Sequence, residues 1–236
     1  MNRLIICVLV LFSTQAAKSQ IQLGIQLKTG IGEMQKLENS AFPFHLNEID
    51  SEPAPTWGVS IQSMLSLHSH IKLSAELGYN HIQGVENEVY YITNIDNGAV
   101  TEYTAETTRK AHYISLPISL DFKIAPKVSI GTGISANYLL TNNRLSEYRA
   151  NGIKYAIIGG GNDLNRFDLG LHLQSSIELS DKFILSAKGS WGMLNIRTPE
   201  TRDAFSTFSG FDDSQQFEVK NRQFTLGITY MLLNNK

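Results

Sequence analysis

Eight times along the chain, apolar and polar residues alternate with a period of two over roughly 11 residues. In the first segment Ile21, Leu23, Ile25 and Leu27 alternate with Gln22, Gly24, Gln26 and Lys28. The others run Trp57 to Leu67, Ile71 to Tyr79, Ile114 to Phe122, Val128 to Tyr138, Phe167 to Ile177, Phe183 to Met193 and Phe224 to Leu232. Such a chain buries one face of every strand, so it closes into a barrel. At about 3.3 Å per residue and a tilt near 40°, each segment rises roughly 28 Å, enough for the apolar band of an outer-membrane barrel.

The connections alternate in length. Short turns lie around Ser69, Ala125-Pro126-Lys127 and Ser180-Asp181-Lys182, and long loops are expected over 33–56, 82–111, 141–165 and 195–221. Short periplasmic turns and long extracellular loops are the outer-membrane pattern. The expected architecture is therefore all-β: an eight-stranded antiparallel up-and-down transmembrane β-barrel with both termini periplasmic. A soluble lipocalin-like barrel has the same strand count. Its outer face would carry lysines and glutamates, whereas the polar face here is mostly Gly, Ser, Thr, Gln and Asn.

Aromatic residues collect at the segment ends. Trp57, Tyr79, Tyr138, Phe167, Trp191 and Phe224 lie on the apolar face next to long loops, and Phe122, Phe183 and Tyr230 lie on that face at the opposite end. This reads as a pair of interfacial girdles. On the other face the charges balance: Lys28, Lys72, Lys123 and Lys188 against Glu76, Asp121, Asp168 and Glu178. A structural charge network inside the lumen follows, with Lys72 and Asp121 expected as one ion pair. Pro117 should face inward and produce a bulge or kink.

Residues 1–19 carry the marks of a secretory signal peptide: Arg3, the apolar run Leu4–Phe12, and Ala17-Lys18-Ser19 as a cleavage site. The barrel domain would then be 20–236. Cys7, the only cysteine, falls within the signal, so the mature chain has no disulfide or thiol chemistry. A net charge of −2 across 236 residues argues against nucleic acid as a partner.

His112-Tyr113-Ile114-Ser115-Leu116-Pro117-Ile118-Ser119-Leu120-Asp121-Phe122 resembles a Tyr-x-x-x-Pro-hydrophobic strand of PorT-like outer-membrane β-barrel proteins of Bacteroidota, and Phe224-Thr225-Leu226-Gly227-Ile228-Thr229-Tyr230 resembles their last strand. The resemblance implies an outer-membrane location and leaves the activity open; some such proteins contribute to protein secretion. The chain ends Tyr230-Met231-Leu232-Leu233-Asn234-Asn235-Lys236 and so lacks the terminal aromatic residue of many outer-membrane proteins.

No constellation for catalysis, cofactor or metal stands out. His68-Ser69-His70 sits on a turn without a carboxylate, short of the nucleophile, base and orienting group that catalysis needs. His172 reads as a satisfied interior histidine. Gly131-Thr132-Gly133 lies within a strand, not at the strand-to-helix turn of a dinucleotide site, and Gly159-Gly160-Gly161 reads as a flexible bend. In the second long loop, Val89–Thr93 and Ala99–Tyr103 flank Asp96-Asn97-Gly98, a hairpin signal. The four loops hold 17 acidic and nine basic residues, a net of −8. The function expected is non-enzymatic: a barrel in outer-membrane lipid presenting surface loops in a structural or interaction role, with an extracellular protein or a protein of a secretion apparatus as the class of partner. The alternatives are an accessory component of that apparatus and a small lipid-modifying enzyme.

Overall fold

The computed structural model describes residues 21–38, 49–93, 100–160, 164–194, 196 and 217–234. Residues 1–19, read above as a signal peptide, the expected turn at Asp96-Asn97-Gly98 and most of the expected fourth loop lie outside them. Among the described residues nine strands form one antiparallel sheet: β1 (Ile21–Glu38), β2 (Ile49–His68), β3 (Ile71–Thr93), β4 (Val100–Ala125), β5 (Val128–Ala150), β6 (Ile153–Gly160), β7 (Phe167–Glu178), β8 (Phe183–Gly192) and β9 (Phe217–Asn234). Eight close a ring in the order β1-β2-β3-β4-β5-β7-β8-β9, with β9 pairing back onto β1. The ninth, β6, pairs only with the far end of β5 among the described strands.

The barrel is inside-out relative to a soluble protein. Ile25, Leu27, Ile61, Leu77, Ile118, Ile134, Leu171, Leu185 and Ile228 are all exposed on its outer wall, and most buried residues are polar. Water would not tolerate an apolar wall of this extent. The outer aromatic residues bound it: Phe183 and Trp191 lie eight residues apart on β8, about 20 Å of height after tilting.

Three of the expected long loops are mostly sheet. β1 and β2 reach to Glu38 and Ile49, β3 and β4 to Thr93 and Val100, and β5 runs on to Ala150. These stretches read as loops because the hydropathy of the faces changes beyond the apolar band. There the outer face of β3 carries Gln83 and Asn87, while its inner face holds Ile82 and Glu86. The pleat continues, but apolar-out alternation no longer reports it. The pairing of Val89–Thr93 with Val100–Thr104 continues the second loop as a hairpin.

The third loop holds a hairpin that the sequence reading missed. β5 turns into β6 through Asn151 at φ 49° and Gly152 at φ 77°, the two positive dihedrals of a type I′ turn. The expected bend at Gly159-Gly160 is instead the end of β6, where these residues pair with Leu145 and Arg144. At the hairpin tip Arg149 and Lys154 both bond Glu147, holding its carboxyl below the usual glutamate range. Gly152→Val places a β-branched residue at positive φ and should weaken the hairpin tip by about 1–2 kcal/mol. Faster protease nicking at the turn, with an unchanged urea midpoint for the whole barrel, is the expected result.

Pro117 points inward, but it causes no bulge. Ala75 pairs with Ile118 and Gly78 with Ser115, one unbroken register in which only the pairs opposite Pro117 and Leu116 are missing. The missing N–H interrupts the ladder without shifting it. The bulge falls elsewhere: His112 pairs with Thr141 and Tyr113 with Leu139, leaving Leu140 as an extra residue in β5. Leu139 is buried and Leu140 is half exposed, and beyond them the inward positions become Asn142 and Ser146.

A candidate functional site in a closed lumen

The lumen is layered along the barrel axis. Closest to the short turns, Met64, Ile184 and Met231 form a small apolar plug. Above it lies a layer of neutral hydrogen bonds. Thr229 donates to Gln62 at 3.0 Å, Gln26 to Ser186 at 3.0 Å, and Ser60 to Gln26 at 3.3 Å. Gly133 lets the wall close around this space, since a Cβ there would stand 1.9 Å from the Ile118 carbonyl oxygen.

The charged groups meet across the lumen rather than along the wall. Lys28 on β1 lies 3.4 Å from Glu76 on β3, and Lys188 on β8 bonds the other carboxylate oxygen. The Glu76 side chain is only 4% exposed, so two cations and one carboxylate form a buried triad. Lys72 does not pair with Asp121, although the two face each other in register. It reaches Glu178 at 3.0 Å, and Asp121 accepts from Ser74 and, at 2.7 Å, from Gln174. Lateral neighbours in a narrow barrel both point at the axis, so a long lysine finds its partner on a distant strand. Lys123 is half-buried near the turns and makes no ion pair among the described residues. Asp168 accepts from Asn221 at 3.0 Å, and Asn221 also donates to the Tyr113 hydroxyl at 3.4 Å.

His172 departs from expectation. It is 1% exposed, and neither ring nitrogen has a partner among the described residues. It lies beside the triad without joining it by a hydrogen bond.

A second apolar plug closes the loop end: Met34, Ile82, Ala111, Tyr113, Leu139, Leu164, Ile196 and Val219. Two irregular segments bring part of it in. The Asn165 amide donates to the Ile196 carbonyl at 2.5 Å, and the Ile196 amide to the Val219 carbonyl at 2.9 Å, which carries Leu164 and Ile196 over the opening. Tyr113 could have been placed from sequence, because the parity of Ser115, Pro117 and Ser119 continues through it. Leu164 and Ile196 carry no such signal. Beyond the plug Arg109 pairs with Glu86 at 3.0 Å, so two of the loop charges point inward.

The outer aromatic residues sit at the two ends of the apolar wall. Tyr138 is directly opposite Phe167, and Phe183 packs on Tyr230 with ring centroids 5.4 Å apart. Trp57, Tyr79, Trp191 and Phe224 complete the loop end, and Phe122 the turn end. At the exposed β2–β3 turn, the Ser69 hydroxyl meets His68 Nδ1 at 3.2 Å and His70 Nδ1 at 2.8 Å. Catalysis would need a third, orienting group as well.

The chain matches no curated protein. Solved structures resemble it at low identity. These include Ail, the attachment invasion locus protein of Yersinia pestis (8% identity, 89% of this chain and 98% of that one, TM-score 0.40). They also include the outer membrane protease OmpT of Escherichia coli (10%, 91% and 96%, 0.45) and Neisserial surface protein A (9%, 88% and 96%, 0.36). The model of the outer membrane protein beta-barrel domain family matches residues 14–197. With its closed ring of eight antiparallel strands and an apolar outer wall, the chain belongs to the outer membrane protein beta-barrel domain family.

Proposed function

We propose that this protein is a non-enzymatic outer-membrane barrel that holds a rigid, sheet-built surface outside the cell for a partner protein. The observation that carries this reading is the unequal wall. β3, β4 and β5 run far past the loop-end aromatic residues and gain β6, whereas β7 and β8 stop near Phe167 and Gly192. Strands of that length are not needed to cross a membrane. Among the described residues the lumen carries an apolar plug at each end, in keeping with eight-stranded barrels being filled by their own side chains. On this reading residues 1–19 are removed on export, both termini are periplasmic, and the nine outer aromatic residues mark the two interfaces. The inner charges hold the wall together. The resemblance of 112–122 and 224–230 to PorT-like strands supports a place among those proteins of Bacteroidota.

Single cysteines at Gly152 and at Asp181, in the otherwise cysteine-free mature chain, test the orientation. A membrane-impermeant thiol reagent applied to intact cells should label the Gly152→Cys protein and spare Asp181→Cys. The reverse pattern would overturn the reading.

A further inference from the structure

We propose that the outer face of β3 and β4, just beyond the loop-end aromatic residues, binds the phosphate-bearing headgroup of an outer-leaflet glycolipid. The site rests on the outward orientation of the loop end argued above. Its core is two cross-strand pairs: His81 opposite His112, and Gln83 opposite Lys110. All four point outward, because Ile82, Arg109 and Ala111 between them are buried inside.

The imidazoles are held in place by aromatic neighbours. The His81 and His112 ring centroids are 4.7 Å apart, and the Trp57 ring lies tilted against His81 with centroids 5.6 Å apart. The Tyr79 hydroxyl is bonded to His112 Nδ1, which leaves Nε2 to face an outside group. Lys110 is exposed and has no ion-pair partner among the described residues. Across β4 the neighbours are Thr141 and Asn143, both exposed. Along β4 the next outward carboxylate is Glu106, four residues beyond Lys110. The patch is thus a set of hydrogen-bond donors around one cation, Lys110, with no carboxylate among its immediate cross-strand neighbours on β3, β4 and β5; Glu52 on β2 lies farther along, opposite Val85, and accepts from Asn87. Such a set is the complement of a phosphate.

Its depth identifies the ligand as a lipid. Trp57 and Tyr79 adjoin the patch, and exposed Val59, Ile114 and Leu116 continue below them. A molecule that touches both regions carries an anionic head above and acyl chains beneath.

The test uses the full barrel in phosphatidylcholine nanodiscs with bis-phosphorylated lipid A, or its dephosphorylated form, as the probe in both leaflets. Native mass spectrometry reads the lipid retained. Wild type should retain the phosphorylated probe about tenfold better, and Lys110→Gln with His81→Gln should abolish that preference, while Lys110→Arg keeps it. Equal retention of the two probes by wild type, or an unchanged preference in the double variant, would overturn the proposal. The wild-type comparison decides even if a variant does not fold, and unboiled gel mobility reports folding. Because both leaflets carry the probe, retention does not depend on which end faces outward in the cell. Inverted cysteine labelling with preference intact would overturn the orientation alone.

Discussion

Glu76→Gln will lower the unfolding free energy of the barrel by about 3–5 kcal/mol, measured by urea titration in lipid vesicles. The carboxylate is the shared partner of Lys28 and Lys188, and both ammonium groups lie in the lumen. A neutral amide leaves them buried at the same site with no counter-charge from β3. The size of the effect comes from desolvation: cations already removed from water lose the interaction that compensated for it. The triple variant Glu76→Gln, Lys28→Met, Lys188→Met removes the stranded charges as well and should recover much of the loss. Stability of the triple variant no better than that of Glu76→Gln alone would show that the triad is not what the single substitution breaks.

Tyr113→Ala should cost a comparable amount, about 3–5 kcal/mol, through the cavity it opens in the loop-end plug. Tyr113 is fully buried among Met34, Ile82, Leu139 and Val219. Its wall is an antiparallel ladder that cannot collapse inward, so the space stays largely unfilled. Tyr113→Phe keeps the ring and loses only the 3.4 Å hydrogen bond from Asn221, with an expected cost of about 1 kcal/mol or less. Equal losses for the two variants would place the energy in the hydroxyl rather than in packing.

What could be read from the chain alone was whatever lipid imposes locally. A strand that crosses a bilayer in a ring must alternate, and each alternating run announces itself without reference to any other. Eight runs with short and long connections therefore sufficed for the eight strands of the ring, their antiparallel order and closure, but not for the ninth strand, β6. The same alternation sorted the inner charges from the outer aromatic residues. It failed where lipid ends. Beyond the loop-end aromatic residues the outer face becomes polar and the inner face admits Ile82, Ala111 and Val219, so extended strands looked like loops. Asn151-Gly152 was visible as a dipeptide, but with Tyr155, Ala156, Ile157 and Ile158 following without clear alternation nothing marked β6 as a strand.

Partner choice was beyond the reach of sequence for a geometric reason. Register along the wall made Lys72 and Asp121 neighbours, yet side chains in a narrow ring converge on the axis. There Lys72 meets Glu178 from β7, and Glu76 gathers lysines from β1 and β8. Those distances depend on the diameter and shear of the closed barrel, which no single segment encodes. The plug residues Leu164 and Ile196 are the same case: backbone hydrogen bonds among segments far apart in the chain bring them over the opening, and only the assembled ring supplies those bonds.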